Sequence, residues 1–187
     1  MHHSKIILLV FVSFSCSPIT QTNHTSENDS EVQLQALGET DCDSLLNDTQ
    51  SLKANTLMPV QKVPKDLIES LVSLDSMLSL PMKEWIKCLP DGEFGAYVHF
   101  GLGGYLRNSW GLWGNSELAK NLYLMGIFHP DDMSAIILDS YQRKLKGEEI
   151  RLDEQIKYYQ DFWRESGMPV DSLLNEIEKE IREDSEH

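Results

Sequence analysis

The sequence predicts an all-α fold, a compact single domain of about six to seven helices that follows a signal peptide and a polar tether. Three observations predict it. Apolar residues recur every three or four positions in several successive runs of the chain. Proline, glycine and capping residues separate these runs. No run sustains the alternation of apolar and polar residues that is typical of half-buried strands.

The first sixteen residues have the pattern of an export signal. The apolar run Ile6–Phe14 is too short to span a bilayer, since a spanning helix needs about 20 residues. Cys16 follows in the run VSFSC, which resembles the lipobox of bacterial lipoproteins, although Phe14 is bulkier than the residue usual there. The resemblance implies removal of residues 1–15 and a lipid on Cys16, which anchors the protein to the outer membrane or the periplasmic face of the cell envelope. Ordinary signal-peptidase cleavage would instead give a secreted protein.

A polar segment separates this signal from the folded part. Residues 16–62 are rich in Ser, Thr, Asn, Asp, Gln and Glu and contain few large apolar side chains, so we expect the lipidated cysteine to be followed by a flexible tether. A short helix is predicted within Val32–Leu52. The helical domain of unknown function is expected to span residues 63–187.

Two further cysteines would be the free thiols of the exported chain. Cys42 lies in the tether and Cys88 in the domain, and no CxxC spacing links the cysteines into a zinc site. Because envelope compartments are oxidising, a disulfide between Cys42 and Cys88 would pin the end of the tether to the domain. The distance between them does not follow from the sequence, which leaves the bond open.

The first helices of the domain are predicted from their apolar spacing. Pro64 suits a first turn, and Lys83–Leu89 forms a short helix carrying Trp85. Phe94–Leu106 has helical spacing but contains four glycines, which we attribute to close approach of another element. Ser116 caps a helix that Gly126 closes. The buried stripe of the first helix is Leu67, Leu71, Leu74 and Leu78.

The later helices carry clearer boundary signals. His129-Pro-Asp-Asp places a proline and two carboxylates in a first turn, and Gly147 ends that helix. Asp153 is expected to cap the next helix, which ends at Gly167, and the last helix covers Pro169–Glu186. The predicted inward residues of these helices are Met133, Ile136, Ile137, Tyr141, Leu145, Ile156, Tyr159, Phe162, Trp163, Leu173, Leu174, Ile177 and Ile181.

Several long motifs occur in order through the domain. They are HFGLG at 99–103, RNSWGLW at 107–113 and GIFHPDDMS at 126–134, with Tyr141 and Arg143 following. From about Val63 to Trp163 the chain resembles an uncharacterised bacterial domain family with these motifs, in which Asn is more usual than Ser109. The resemblance implies that the chain contains this domain. It does not imply any particular activity.

The polar motif His129-Pro130-Asp131-Asp132 has a structural and a functional interpretation. Capping of a helix start explains all of it. The alternative is a metal or acid–base site completed by His99 or Glu93. His99 is otherwise predicted to be a core histidine. Adjacent aspartates do not share a helical face, which weighs against the alternative.

The motif around Arg107 is also open to two interpretations. We expect Arg107 to form an ion pair with Asp131 or Asp132, the alternative being an anion-binding arginine in a cleft. Trp110 and Trp113 are predicted to be core, the alternative being an exposed recognition surface. The candidate binding surface therefore comprises His99, Arg107, Asn108, Trp110, Trp113, His129, Asp131 and Asp132.

The charge of the chain limits its partners. It has 30 acidic and 16 basic residues and a formal net charge of −14, so it lacks the Lys and Arg surplus from which nucleic-acid affinity arises. The sequence has no GxSxG, Walker, HExxH or dinucleotide motif, and we assign no catalytic residue, metal ligand or cofactor. These observations favour a non-catalytic binding module for a protein partner or small ligand. The alternatives are a metal-assisted envelope hydrolase and an immunity or inhibitor protein for a basic partner.

Overall fold

The computed structural model describes residues 41–47, 62–114 and 116–185 of the chain. The all-α prediction is confirmed, because these residues form nine α-helices and one π-helical segment and contain no strand. The predicted number of six to seven helices is too low. The signal peptide, Cys16 and most of the tether lie outside the described residues. Within the described part, no helix combines the length and apolar character that crossing a membrane requires.

The helices are numbered here in chain order. Their bounds are α1 Cys42–Asn47, α2 Leu67–Met77, α3 Leu80–Cys88, α4 Glu93–Tyr97, the π segment His99–Gly103, α5 Gly104–Ser109, α6 Glu117–Leu124, α7 Pro130–Lys146, α8 Leu152–Glu165 and α9 Val170–Ser185.

Helix α7 is the centre of the domain, and α2, α3, α4, the π segment, α5, α6 and α8 all pack against it. Its boundary signals work as predicted. The His129 side chain caps the first turn by accepting from the Asp131 N–H, Pro130 occupies the first helical position, and Gly147 ends the helix in the left-handed conformation at φ 72°. Ile136 and Tyr141 are fully buried in this helix.

Helices α2 and α3 form one wall of the core. The Asp66 side chain caps α2 by accepting from the Glu69 N–H at 2.8 Å. Helix α3 begins at Leu80, earlier than predicted, because the Ser79 hydroxyl caps it and Pro81 fits its first turn. The predicted apolar residues Leu67, Leu71, Leu74, Leu78 and Trp85 are all buried.

The predicted single helix over Phe94–Leu106 is wrong, because the structure divides this stretch into α4, the π segment and α5. The Gly103 N–H donates to the Val98 carbonyl at 2.9 Å, which closes the wider π turn. The glycines do serve close approach. A Cβ at Gly103 would lie 3.2 Å from Arg107 Nη1, and a Cβ at Gly95 would lie 3.0 Å from Asp139 Oδ1.

Two predictions for the last helices are wrong. Arg151 rather than Asp153 is the N-cap of α8, and it takes the left-handed conformation at φ 51°. Phe162 is 51% exposed, and Ile181 is 50% exposed. The physical reason is that α8 rests on the core through Ile156 and Tyr159, which turns the Phe162 position toward solvent.

Cys42 and Cys88 form a disulfide bond, with their Cα atoms 5.3 Å apart. Helix α1 therefore lies against α3, and Leu45 and Leu46 pack on the edge of the core. A segment that the composition assigns to the tether is thus joined covalently to the domain.

Candidate functional site

Arg107 is buried at the junction of α5, the π segment and α7. Its Nε lies 3.0 Å from Asp131 Oδ1, its Nη1 donates to Ser134 Oγ at 2.9 Å, and its Nη2 donates to the His99 carbonyl at 3.0 Å. The predicted ion pair thus forms with Asp131 and not with Asp132. Because every nitrogen of the guanidinium has a protein partner, this arginine holds the π segment against α7 and offers no fork to an anion.

Asp131 collects the polar groups at the start of α7. His129 Nδ1 lies 3.5 Å from Asp131 Oδ2, and His99 Nε2 lies 3.9 Å from Asp131 Oδ1. The prediction that His99 is a core histidine is wrong, since its side chain is 37% exposed. The reason is the π segment, which displaces His99 from the buried face that a regular helix would have given it.

Asp132 points away from Asp131 and toward α8. It is buried and accepts a 2.6 Å hydrogen bond from Trp163 Nε1. Burial raises the pKa of the Asp132 carboxyl, and the hydrogen bond from Trp163 together with nearby His129 offsets part of that rise. The two aspartates therefore serve two separate contacts, as expected from their positions on a helix.

Residues 41–47, 62–114 and 116–185 contain no group of three or more His, Cys, Asp or Glu side chains that could hold a metal ion. The closest approach to such a group is His99, Asp131 and His129. A divalent ion bound there would face the buried Arg107 guanidinium, which lies 3.0 Å from Asp131 Oδ1. Because the guanidinium already neutralises Asp131 and would repel a second cation beside it, this arrangement disfavours cation binding.

The two tryptophans of the RNSWGLW motif have different environments. Trp110 is 1% exposed and belongs to the core. The prediction of a core position is wrong for Trp113, which is 57% exposed. The Trp113 Nε1–H donates to Asn108 Oδ1 at 3.2 Å, so the exposed indole has a defined orientation. Gly111, with φ 66°, lies between the two and lets the chain reverse direction.

Trp113 borders a surface groove with a volume of about 490 Å³, which we call the Trp113 groove. It lies between the loop after α5, helix α6 and the start of α7. Of the predicted surface residues, Trp113 and His129 line it. The described residues that form its walls are Leu112, Trp113, Gly114, Ala119, Lys120, Tyr123, Phe128, His129, Pro130 and Met133.

Sequence reasoning missed the rest of the groove. The Tyr123 and Phe128 rings meet edge to face, with centroids 5.5 Å apart, across the turn that joins α6 to α7. Neither residue belongs to a polar motif. Their positions in the sequence could have indicated that both rings lie near the turn between α6 and α7. Phe128 immediately precedes the capping His129, and Tyr123 lies three residues before Gly126.

Two polar residues on α7 were also missed, the buried Gln142 and the partly buried Asp139. Gln142 donates to the carbonyls of Leu89 and Pro90 at 3.0 Å and accepts from the Gly92 N–H at 3.2 Å, which closes the turn after α3. Burial raises the pKa of Asp139 to about 6, while Arg143 and the Gly95 N–H oppose that rise. Asp139 Oδ1 is buried and has no hydrogen-bond partner among the described residues.

Residues 63–145 match the family model described as Domain of unknown function (DUF6794). The resemblance to an uncharacterised domain family is thereby confirmed over this range. The matched segment runs from the residues before α2 to the last turn of α7, so it contains the Trp113 groove and leaves out α8 and α9. No curated protein and no solved structure matches the chain significantly.

Proposed function

We propose that this chain is an exported lipoprotein of the cell envelope whose helical domain is a non-catalytic binding module. The apolar run Ile6–Phe14 and the VSFSC sequence around Cys16 support the anchor. The acyl chains of a lipidated cysteine hold a protein at a membrane without a spanning helix, since each buried CH₂ contributes about 0.8 kcal/mol.

The orientation of Trp113 is the observation that supports a binding role. A tryptophan that is more than half exposed places a large apolar surface in water, and such residues are enriched at contact sites. Asn108 holds the indole at the edge of a groove of about 490 Å³, which is within the usual range for ligand sites of about 300–1,000 Å³.

The polar motif beside the groove supports binding over catalysis. Arg107, Asp131 and Asp132 each have structural partners, so none of them is left as a free base or nucleophile. The His129 side chain caps α7. A metal-assisted hydrolase would need some of these groups to be released from the contacts that hold α5, α7 and α8 together.

The anchor is tested by cell fractionation. Cys16→Ser should move the protein from the membrane to the soluble fraction, while the control Thr20→Ala in the same segment should stay with the membrane. Membrane retention of Cys16→Ser would contradict the lipid anchor.

The binding role is tested with the purified chain and fractions of envelope extract. Amide chemical shifts around the groove should change with one fraction, and Trp113→Ala should abolish the change. Phe162→Ala removes a comparably exposed aromatic from α8 and serves as the matched control. Turnover of an envelope substrate that is lost in His129→Ala would overturn the non-catalytic role.

A further inference from the structure

The walls of the Trp113 groove suit an apolar or aromatic body. Trp113, Tyr123 and Phe128 present rings along it, and the buried side chains of Leu112 and Met133 form part of its lining. The Asn108 hydrogen bond occupies the indole N–H of Trp113, so the ring contributes its apolar surface rather than a donor. Flat apolar groups bind such walls by offset or edge-to-face contact.

The polar groups of the groove are donors. Lys120 and His129 are its ionisable residues apart from Tyr123, and no Asp or Glu stands among the described residues that line it. This contrasts with the whole chain, in which 30 acidic residues outnumber 16 basic ones. At physiological ionic strength the Debye length is about 8 Å, so acidic residues farther than this from the groove are largely screened. Of the nearer carboxylates, Asp131 pairs with Arg107 at 3.0 Å and Glu180 pairs with Lys120 at 4.0 Å.

The capping hydrogen bond defines which nitrogen of His129 can donate. Because the Asp131 N–H donates to His129 Nδ1 at 3.2 Å, Nδ1 acts as the acceptor. With Nδ1 as the acceptor, the ring carries its N–H on Nε2. His129 therefore offers the groove an N–H donor while its other nitrogen stabilises the start of α7.

The ammonium group of Lys120 is available to a ligand. Its ion pair with Glu180 spans 4.0 Å between side chains that are 61% and 52% exposed. Exposed pairs of this kind contribute little, because both groups remain hydrated and both side chains lose entropy on pairing. A carboxylate in the groove can therefore replace Glu180 as the partner of Lys120.

We propose that the Trp113 groove binds a small molecule with an aromatic or apolar body and a carboxylate. The body packs on Trp113, Tyr123 and Phe128, and the carboxylate accepts from Lys120 Nζ and His129 Nε2. This inference rests on the proposed function, since it names the ligand class of the same groove.

Three probes that share one aromatic body test the ligand class. Indole-3-acetate carries a carboxylate, indole is neutral and tryptamine carries an ammonium group. Titration of the full chain, followed by amide chemical shifts, should give indole-3-acetate a Kd at least about tenfold lower than that of tryptamine, because one charge-assisted hydrogen bond contributes about that factor. The preference should shrink as salt is added.

Variants separate the two parts of the proposal. Lys120→Met should remove the preference for indole-3-acetate and leave the binding of indole unchanged. Trp113→Ala should weaken all three probes to a similar extent, and Phe162→Ala should leave all three unchanged.

Three results would overturn the inference in different ways. If tryptamine or indole binds the groove as tightly as indole-3-acetate, the anionic class is wrong and the groove remains a binding site. If none of the probes shifts the groove resonances at millimolar concentration while an envelope fraction does, the ligand class is wrong and the proposed function stands. If neither the probes nor any envelope fraction shifts them, both are wrong.

Discussion

Replacing Asp139 with asparagine should stabilise the domain at neutral pH. The carboxyl of Asp139 on α7 packs against Gly95 on α4. A Cβ on Gly95 would lie 3.0 Å from Asp139 Oδ1. Burial raises its pKa from 3.8 to about 6, so the folded state binds its proton more tightly than the unfolded state does. Asparagine has nearly the same shape and carries no charge, so it removes the penalty of burying a carboxylate.

The magnitude follows from linkage between folding and proton binding. A pKa raised from 3.8 to about 6 corresponds to about 3 kcal/mol of unfolding free energy. Because the folded pKa is the higher one, the wild type has this stability in full below pH 3.8 and loses it as the pH rises through about 6. Asp139→Asn should therefore gain about 1–3 kcal/mol at pH 8 and almost nothing near pH 4.

Urea denaturation followed by circular dichroism at pH 4, 6 and 8 measures this difference. Glu165→Gln, which removes one carboxylate from the exposed end of α8, is the control for the change in net charge. A gain for Asp139→Asn that is equal at all three pH values, or a loss at pH 8, would refute the reasoning.

Three other variants test the contacts that hold the fold. Joint replacement of Cys42 and Cys88 by serine should lower the unfolding free energy by about 4 kcal/mol, since the disulfide closes a loop with a sequence separation of 46. Denaturation of the wild type with and without reductant measures the same contribution. Equal stability of the oxidised and reduced wild type would contradict it. Arg107→Met should lower the unfolding free energy by about 2–3 kcal/mol, because Ser134 Oγ and the His99 carbonyl lose their donor. If urea denaturation shows no change, the arginine is dispensable to the fold. Gln142→Ala should cost about 1–3 kcal/mol and speed amide exchange at Gly92, and unchanged exchange would contradict its role in the turn.

Sequence reasoning was most successful where structure is set within one turn of helix. The cap of α7 at His129, its proline in the first turn and its end at Gly147 all act over a few residues, so their consequences can be predicted locally. The failure at Phe94–Leu106 has a different cause. Apolar spacing there indicates a helix, but it does not distinguish a regular helix from one interrupted by a π turn that Gly103 permits.

The candidate site was predicted in part. The sequence led to the pairing of Arg107 with an aspartate at the start of α7, because an arginine and two carboxylates near a helix start need partners when buried. It did not distinguish Asp131 from Asp132 as that partner. The choice depends on where α8 lies. Trp163 on α8 donates a hydrogen bond to Asp132, and Arg107 pairs with Asp131.

The amino-acid sequence by itself determined that the described part of the chain is all-α, about where α6, α7 and α9 begin and end, and that the domain resembles an uncharacterised family. Only the tertiary structure decided that Trp110 is buried and Trp113 exposed, although both lie in one motif three residues apart. It also brought Tyr123, Phe128 and His129 together with Trp113 around one groove. The physical reason is that caps and periodicity act over a single turn, whereas the burial of a side chain depends on how distant helices pack.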